Sequence, residues 1–172
     1  MSEQLDRRRF LKSAAGGTVV LAAMPVLGLA PGDTLAPGCK VLTISQSVLI
    51  GAIAEQFVPP DDHPGGREAG VVFYIDGILA GRLARSYKDR YERGLKLVDE
   101  VSHKQFNRNF VSLDADQQVS VLKAMESGDA VGSEAHEFFN LILQHTMEGY
   151  YGDPEHGGNR NGASWKMLGF EG

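Results

Sequence analysis

The sequence predicts an all-α fold: a single compact domain of about five helices with a glycine-rich C-terminal arm. Three observations carry this. Five segments repeat apolar residues every three or four positions, the period of one helix face. Capping and breaking residues stand at the edges of those segments. The one run that could be a strand, Val71–Ile75, has no second run to pair with. A length of 172 residues allows one domain, and 42% hydrophobic with 23% charged residues suits a globular one.

The first helix is predicted from a cap at Thr43 or Ser45 to about Phe57. Val48, Leu49, Ala52, Ile53 and Phe57 share one face, and Pro59-Pro60 stops it. Asp61-Asp62-His63-Pro64-Gly65-Gly66 reads as a loop. A second helix follows from about Glu68 to Arg82 on Val71, Ile75, Ile78, Leu79 and Leu83. Val72, Phe73 and Tyr74 widen its apolar stripe, so more than one side is expected to be buried. The third runs from about Tyr87 to Phe110 with Tyr91, Leu95, Val98, Val101 and Phe106 inward. Asp114 and Gln117 form a capping box that opens the fourth, and Gly128 ends it. The fifth is expected from a Ser133 cap to about Tyr150. Phe138, Phe139, Leu141, Ile142, Leu143 and Met147 surround it almost completely, which marks a central helix.

The N-terminus reads as a targeting segment. Arg7-Arg8-Arg9-Phe10-Leu11-Lys12 matches the twin-arginine export pattern, with Arg7, Arg8, Phe10, Leu11 and Lys12 as its signal residues. A glycine-bearing apolar run, Ser13 to Ala30, follows. Residues 1–30 are assigned to this signal, 31–42 to a Pro/Gly-rich linker, and 43–172 to the domain. Pro31 follows Gly28-Leu29-Ala30 and Pro37 follows Thr34-Leu35-Ala36, so both small-residue cleavage sites are hindered. The expected location is the periplasm, with membrane association through a complex.

The net charge is -5, and removing residues 1–30 leaves 13 basic against 20 acidic side chains, which excludes nucleic acid as an expected partner. One cysteine, Cys39, excludes an internal disulfide and a multi-cysteine metal site. None of the five histidines is spaced as a metal pair on one helix face. A metal site gathered from His63, His145, His156 and acids such as Asp61, Asp62 or Asp153 is conceivable, and His145 also reads as a core histidine. Gly149-Tyr150-Tyr151-Gly152 and His156-Gly157-Gly158-Asn159 follow a helix, whereas a phosphate loop follows a strand. No catalytic, cofactor or metal residue is therefore assigned. Twin-arginine export carries folded and often cofactor-loaded proteins, so either a cofactor site is hidden or the signal serves a partner.

The arm from Gly149 to Phe170 holds six glycines and the only tryptophan. Its residue types are those of interface anchors and of close backbone approach. Tyr150, Tyr151, His156, Gly157, Gly158, Asn159, Arg160, Trp165 and Phe170 are the candidate partner-binding residues. The competing reading packs Trp165 inward, onto the chain's own core.

Three blocks together resemble the gluconate 2-dehydrogenase small subunit family, also called subunit 3 or the gamma subunit. They are Phe57-Val58-Pro59-Pro60-Asp61-Asp62, Glu68-Ala69-Gly70-Val71-Val72-Phe73-Tyr74-Ile75-Asp76, and the arm from Thr146 through His156-Gly157-Gly158-Asn159-Arg160 to Trp165-Lys166-Met167-Leu168-Gly169-Phe170. The likeness extends from about Thr43 onward. Gly65-Gly66-Arg67 stands where the family usually has an alanine after the acidic loop. The resemblance implies a non-catalytic accessory subunit beside a large FAD-binding flavoprotein of the glucose–methanol–choline oxidoreductase type, acting on a sugar or sugar acid. It also implies a multihaem cytochrome c subunit, with haem c, and export of the folded flavoprotein through the twin-arginine translocase on this chain's signal. The alternatives from other classes are a free-standing exported enzyme or metal-binding domain using His156 and nearby acids, and a structural domain that binds its own copies.

Overall fold

Helix boundaries in this chain follow side-chain caps and backbone breaks, as seen in a computed structural model that describes residues 34–82, 84–128 and 132–170. Six α-helices result: α1 Ile44–Phe57, α2 Val71–Ala80, α3 Ala84–Phe106, α4 Ala115–Ser127, α5 Ser133–Tyr151 and α6 Ala163–Leu168. Three single 3₁₀ turns stand at Phe110–Ser112, Pro154–His156 and Arg160–Gly162. No strand is formed among the described residues; Leu35 and Thr43 make one isolated bridge. The export signal at Arg7, Arg8, Phe10, Leu11 and Lys12 lies outside the described residues.

Two capping boxes form: the predicted one at Asp114, and one at Thr43, where the sequence offered Thr43 or Ser45 only as a cap. Thr43 Oγ1 accepts from Gln46 N at 3.3 Å while Gln46 Oε1 accepts from Thr43 N at 3.0 Å. Asp114 and Gln117 repeat the exchange at the start of α4, at 2.9 and 3.3 Å. Each box satisfies two backbone groups that a helix end leaves without partners.

Elsewhere the boundaries move. α2 is shorter than predicted, because Gly70 at φ 81 caps it and Gly81 leaves the helix. α3 begins at Ala84 rather than Tyr87 and ends at Phe106 rather than Phe110. Its end is set by Asn107, which turns to φ 53. Phe110 becomes a fully buried residue of a 3₁₀ turn instead, its N–H donated to Asp99 Oδ1 and its C=O taken by Gln118 Nε2. Ser133 does not cap α5; Gly132 does, at φ 90 and with no side-chain bond, so Ser133 is the first helical residue.

α5 is central, in contact with α1, α2, α3 and α4. Phe138, Phe139, Leu141, Ile142 and Tyr150 on it are all buried. Phe139 meets Phe57 of α1 edge to face at 5.4 Å, and Phe138 meets Tyr91 of α3 at the same distance and orientation, a geometry that aromatic quadrupoles favour. α3 and α5 approach so closely that Gly94 lies under the Phe138 ring, where any Cβ would overlap it.

The stretch before α1 has linker composition, yet residues 34–42 form a small hairpin docked on α2. Ala36 and Leu42 are buried. The backbone N–H groups of Lys40, Val41 and Leu42 all donate to the Asp76 carboxylate, at 2.7, 3.0 and 2.9 Å. Asp76 sits in the apolar face of α2 and is only 2% exposed. Three directed donors are what allow a carboxylate to be buried there.

Candidate functional site

The C-terminal arm is built on one asparagine. Asn159 is fully buried and adopts the left-handed region, φ 43 and ψ 43, which Asn tolerates better than most residues. Its N–H donates to Gly149 O at 2.8 Å and its Nδ2 to Gly152 O at 2.8 Å, so it satisfies carbonyls at the end of α5. Its Oδ1 accepts from Ser164 N at 2.9 Å, in the first turn of α6. One side chain therefore ties the end of α5 to the start of α6. Gly158 lies against the Gly149 carbonyl, where a Cβ would overlap the oxygen, so the chain can come this close only without a side chain.

Two further contacts fix the arm to α2 and to the turn just before it. Arg160 N donates to Ala69 O at 2.9 Å. The Arg160 guanidinium lies 3.9 Å over the Phe73 ring, a cation–π arrangement. Tyr150, at the root of the arm, is buried and donates its hydroxyl to Pro64 O at 2.9 Å, which fastens the Asp61–Gly66 loop.

The predicted partner-binding residues thus divide by position. Tyr150, Gly158 and Asn159 are buried and hold the arm from within, so they present no side chain to a partner. Tyr151, His156, Arg160 and Phe170 are exposed, and Gly157 and Trp165 are half-buried. Trp165 joins the two readings. Its Nε1 donates to Tyr151 O at 3.2 Å, while its ring meets Phe170 edge to face at 5.2 Å. The Phe170 N–H closes back on Trp165 O at 2.8 Å. Tyr151 is 44% exposed, Leu168 64% and Phe170 58%, so Trp165 stands at the base of an apolar ridge that the chain's own core does not cover. Sequence reading named Leu168 within the arm but left it out of the contact set. Its place three residues after Trp165 on α6 was the available signal.

The histidines do not converge. His145 is buried, stacked on Tyr91 with ring centroids 5.8 Å apart, and its Nδ1 stands 2.9 Å from the Tyr91 hydroxyl. Burial lowers the His145 pKa from its ordinary value; Glu148 opposes this and Arg90 adds to it. Burial also pushes the Tyr91 hydroxyl well up, so a neutral hydroxyl and a neutral imidazole share this bond. Nearby, Tyr74 donates to Glu148 Oε2 at 2.9 Å, and burial together with that carboxylate pushes Tyr74 up to about 12. His63 stands instead beside Arg160 and Lys166 around a shallow pocket, and His156 lies on the exposed turn after α5. Among the described residues no three His, Cys, Asp or Glu side chains are grouped to hold a metal ion, which includes the set His63, His145, His156 with Asp61, Asp62 and Asp153. Burial, with Asp76 adding to it, raises the Cys39 thiol above its ordinary value while Arg160 opposes them, so the thiol stays protonated.

Among the described residues no helix is long and apolar enough to cross a membrane. Residues 45–172 match the family model described as gluconate 2-dehydrogenase subunit 3. No curated protein and no solved structure matches the chain. The match takes in α1 from its second residue through α6, with Asp76 and the whole arm; the hairpin residues 40–42 that Asp76 holds precede it.

Proposed function

This chain belongs to the gluconate 2-dehydrogenase subunit 3 family, and from that premise we propose that it is a non-catalytic accessory subunit whose C-terminal arm docks an FAD-dependent large subunit of the glucose–methanol–choline oxidoreductase type. The family description names a subunit, and so implies others. The observation that carries the docking role is the arm's construction. Asn159, Gly158 and Tyr150 fix it from beneath, while Tyr151, Leu168 and Phe170 are exposed around a half-buried Trp165. A contact ridge already held in shape loses little conformational entropy on binding.

Within the same proposal, the twin-arginine segment at Arg7 and Arg8 exports this chain and the folded flavoprotein together to the periplasm. FAD resides in that large subunit and haem c in a cytochrome subunit that takes its electrons. The substrate class is a sugar or sugar acid.

The test is co-purification and titration of this chain with the proposed FAD-dependent large subunit. A tight complex is expected, with all the flavin in the larger chain. Trp165→Ala should weaken it roughly thirtyfold, the factor that corresponds to losing about 2 kcal/mol at an interface centre. Lower thermal stability of the isolated variant with unchanged affinity would place Trp165 in the chain's own core and remove the arm from the interface.

A further inference from the structure

Exposed large apolar side chains in the described residues gather at two places. Tyr151, Leu168 and Phe170 belong to the arm, and the other four, Leu35, Ile44, Val48 and Val111, surround the start of α1. There a groove of about 590 Å³ runs between α1, α3 and the Phe110–Ser112 turn. Val48 and Val111 wall it, Leu95 floors it, and Glu92, Lys96 and Asp99 stand along it. Val48 is 49% and Val111 42% exposed, although the walls of a well-packed helical domain would normally cover them.

We infer that this groove receives the apolar run of the chain's own N-terminal segment, residues 18–30. Position comes first. Thr34 O accepts from Ile44 N at 2.9 Å, so Thr34, the first described residue, stands beside the first residue of α1. Ser45 and Gln46, which line the groove, are the next residues on that helix. The few residues between Ala30 and Thr34 span roughly 13 Å when extended, more than two helical turns of α1, so the run reaches the groove without strain.

Composition comes second. Thr18-Val19-Val20-Leu21-Ala22-Ala23-Met24-Pro25-Val26-Leu27-Gly28-Leu29-Ala30 carries no charge and needs apolar cover in water. The groove sets two carboxylates against one ammonium, and Arg7, Arg8, Arg9 and Lys12 precede the run. Tethering comes third. A short covalent link holds the run at an effective concentration of about millimolar, so a weak site is filled in cis. Docked there, the run is shielded from water and from other chains until something that binds it more tightly takes it. This inference needs no partner subunit, so it stands or falls apart from the docking role of the arm.

The experiment uses the full-length chain with Cys39→Ser and a single reporter thiol, Leu27→Cys, and measures its rate of labelling by a maleimide. Docking for about nine-tenths of the time slows labelling about tenfold relative to the same protein carrying Val48→Asp and Val111→Asp. Both positions are exposed, so far-ultraviolet circular dichroism should not change; Val48→Ser with Val111→Ser repeats the comparison without added charge. Equal rates with and without the groove substitutions would overturn the inference. Protection that fades on dilution would overturn it as well, because the occupant would then be a second copy of the chain.

Discussion

Asn159 concentrates the arm's geometry in one residue. Asn159→Ala keeps the backbone bond to Gly149 but leaves the Gly152 carbonyl and the Ser164 N–H without their partner, and it puts an alanine at φ 43. The expected cost is about 2 kcal/mol, several degrees of melting temperature in a thermal scan. Its neighbour gives the opposite sign. Ser164 Oγ is fully buried and has no partner, so Ser164→Ala should leave stability unchanged or raise it in the same scan. His145 governs an acid response. Its folded pKa is lowered, so below the unfolded value of about 6.5 the unfolded chain binds a proton that the folded chain refuses. Stability is therefore full above that pH and falls as the pH drops toward the folded pKa. Replacing His145 and Tyr91 together by phenylalanine removes this dependence without stranding the tyrosine hydroxyl. The slope of melting temperature against pH below 6.5 should then be shallower in the double variant.

At the scale of elements, α6 has six residues, too few to be stable alone, and takes its order from the Asn159 bond in its first turn, while Phe170 packs on Trp165 at its exposed end. This separates the two tasks of the arm. Phe170 is 58% exposed, so Phe170→Ala should change the melting temperature of the isolated subunit little and yet weaken the flavoprotein complex. Calorimetric titration beside a thermal scan reads both effects. A fall in stability without a fall in affinity would mean that Phe170 serves only to close α6. α2 is the matching element on the other side. Asp76 receives the hairpin, while Phe73 and the Ala69 carbonyl receive the arm, so one ten-residue helix anchors both ends of the described chain.

At the scale of the whole molecule, that arrangement joins the hairpin that follows the proposed signal in sequence to the arm that is proposed to meet the flavoprotein. One export signal serving two chains requires the complex to form before translocation. Arg7→Lys with Arg8→Lys should then hold both this chain and the flavoprotein in the cytoplasm, measured by fractionation. A flavoprotein that still reached the periplasm would remove the shared-signal part of the proposal and leave family membership untouched.

Local chemistry was sufficient to read five of the six helices from the sequence, though not all of their ends, and α6 within the arm was not read. Thr43/Gln46 and Asp114/Gln117 cap through bonds within four residues, and the apolar periodicity of α5 announces a central helix wherever its neighbours lie. The family, too, was legible in the blocks around Asp61, Asp76 and the arm, because those blocks combine unusual residues in a fixed order. What spacing could not give were contacts made across long separations. The Asp76 bonds to residues 40–42 turn a stretch of linker composition into a docked hairpin, and nothing near Asp76 in sequence announces them. The arm shows the same limit. Asn159 and Trp165 are both residue types of interfaces, but burial of one and half-exposure of the other follow from how closely Gly158 lets the chain return to α5. That distance is set by packing, so only the tertiary structure could decide which side chains hold the arm and which it offers.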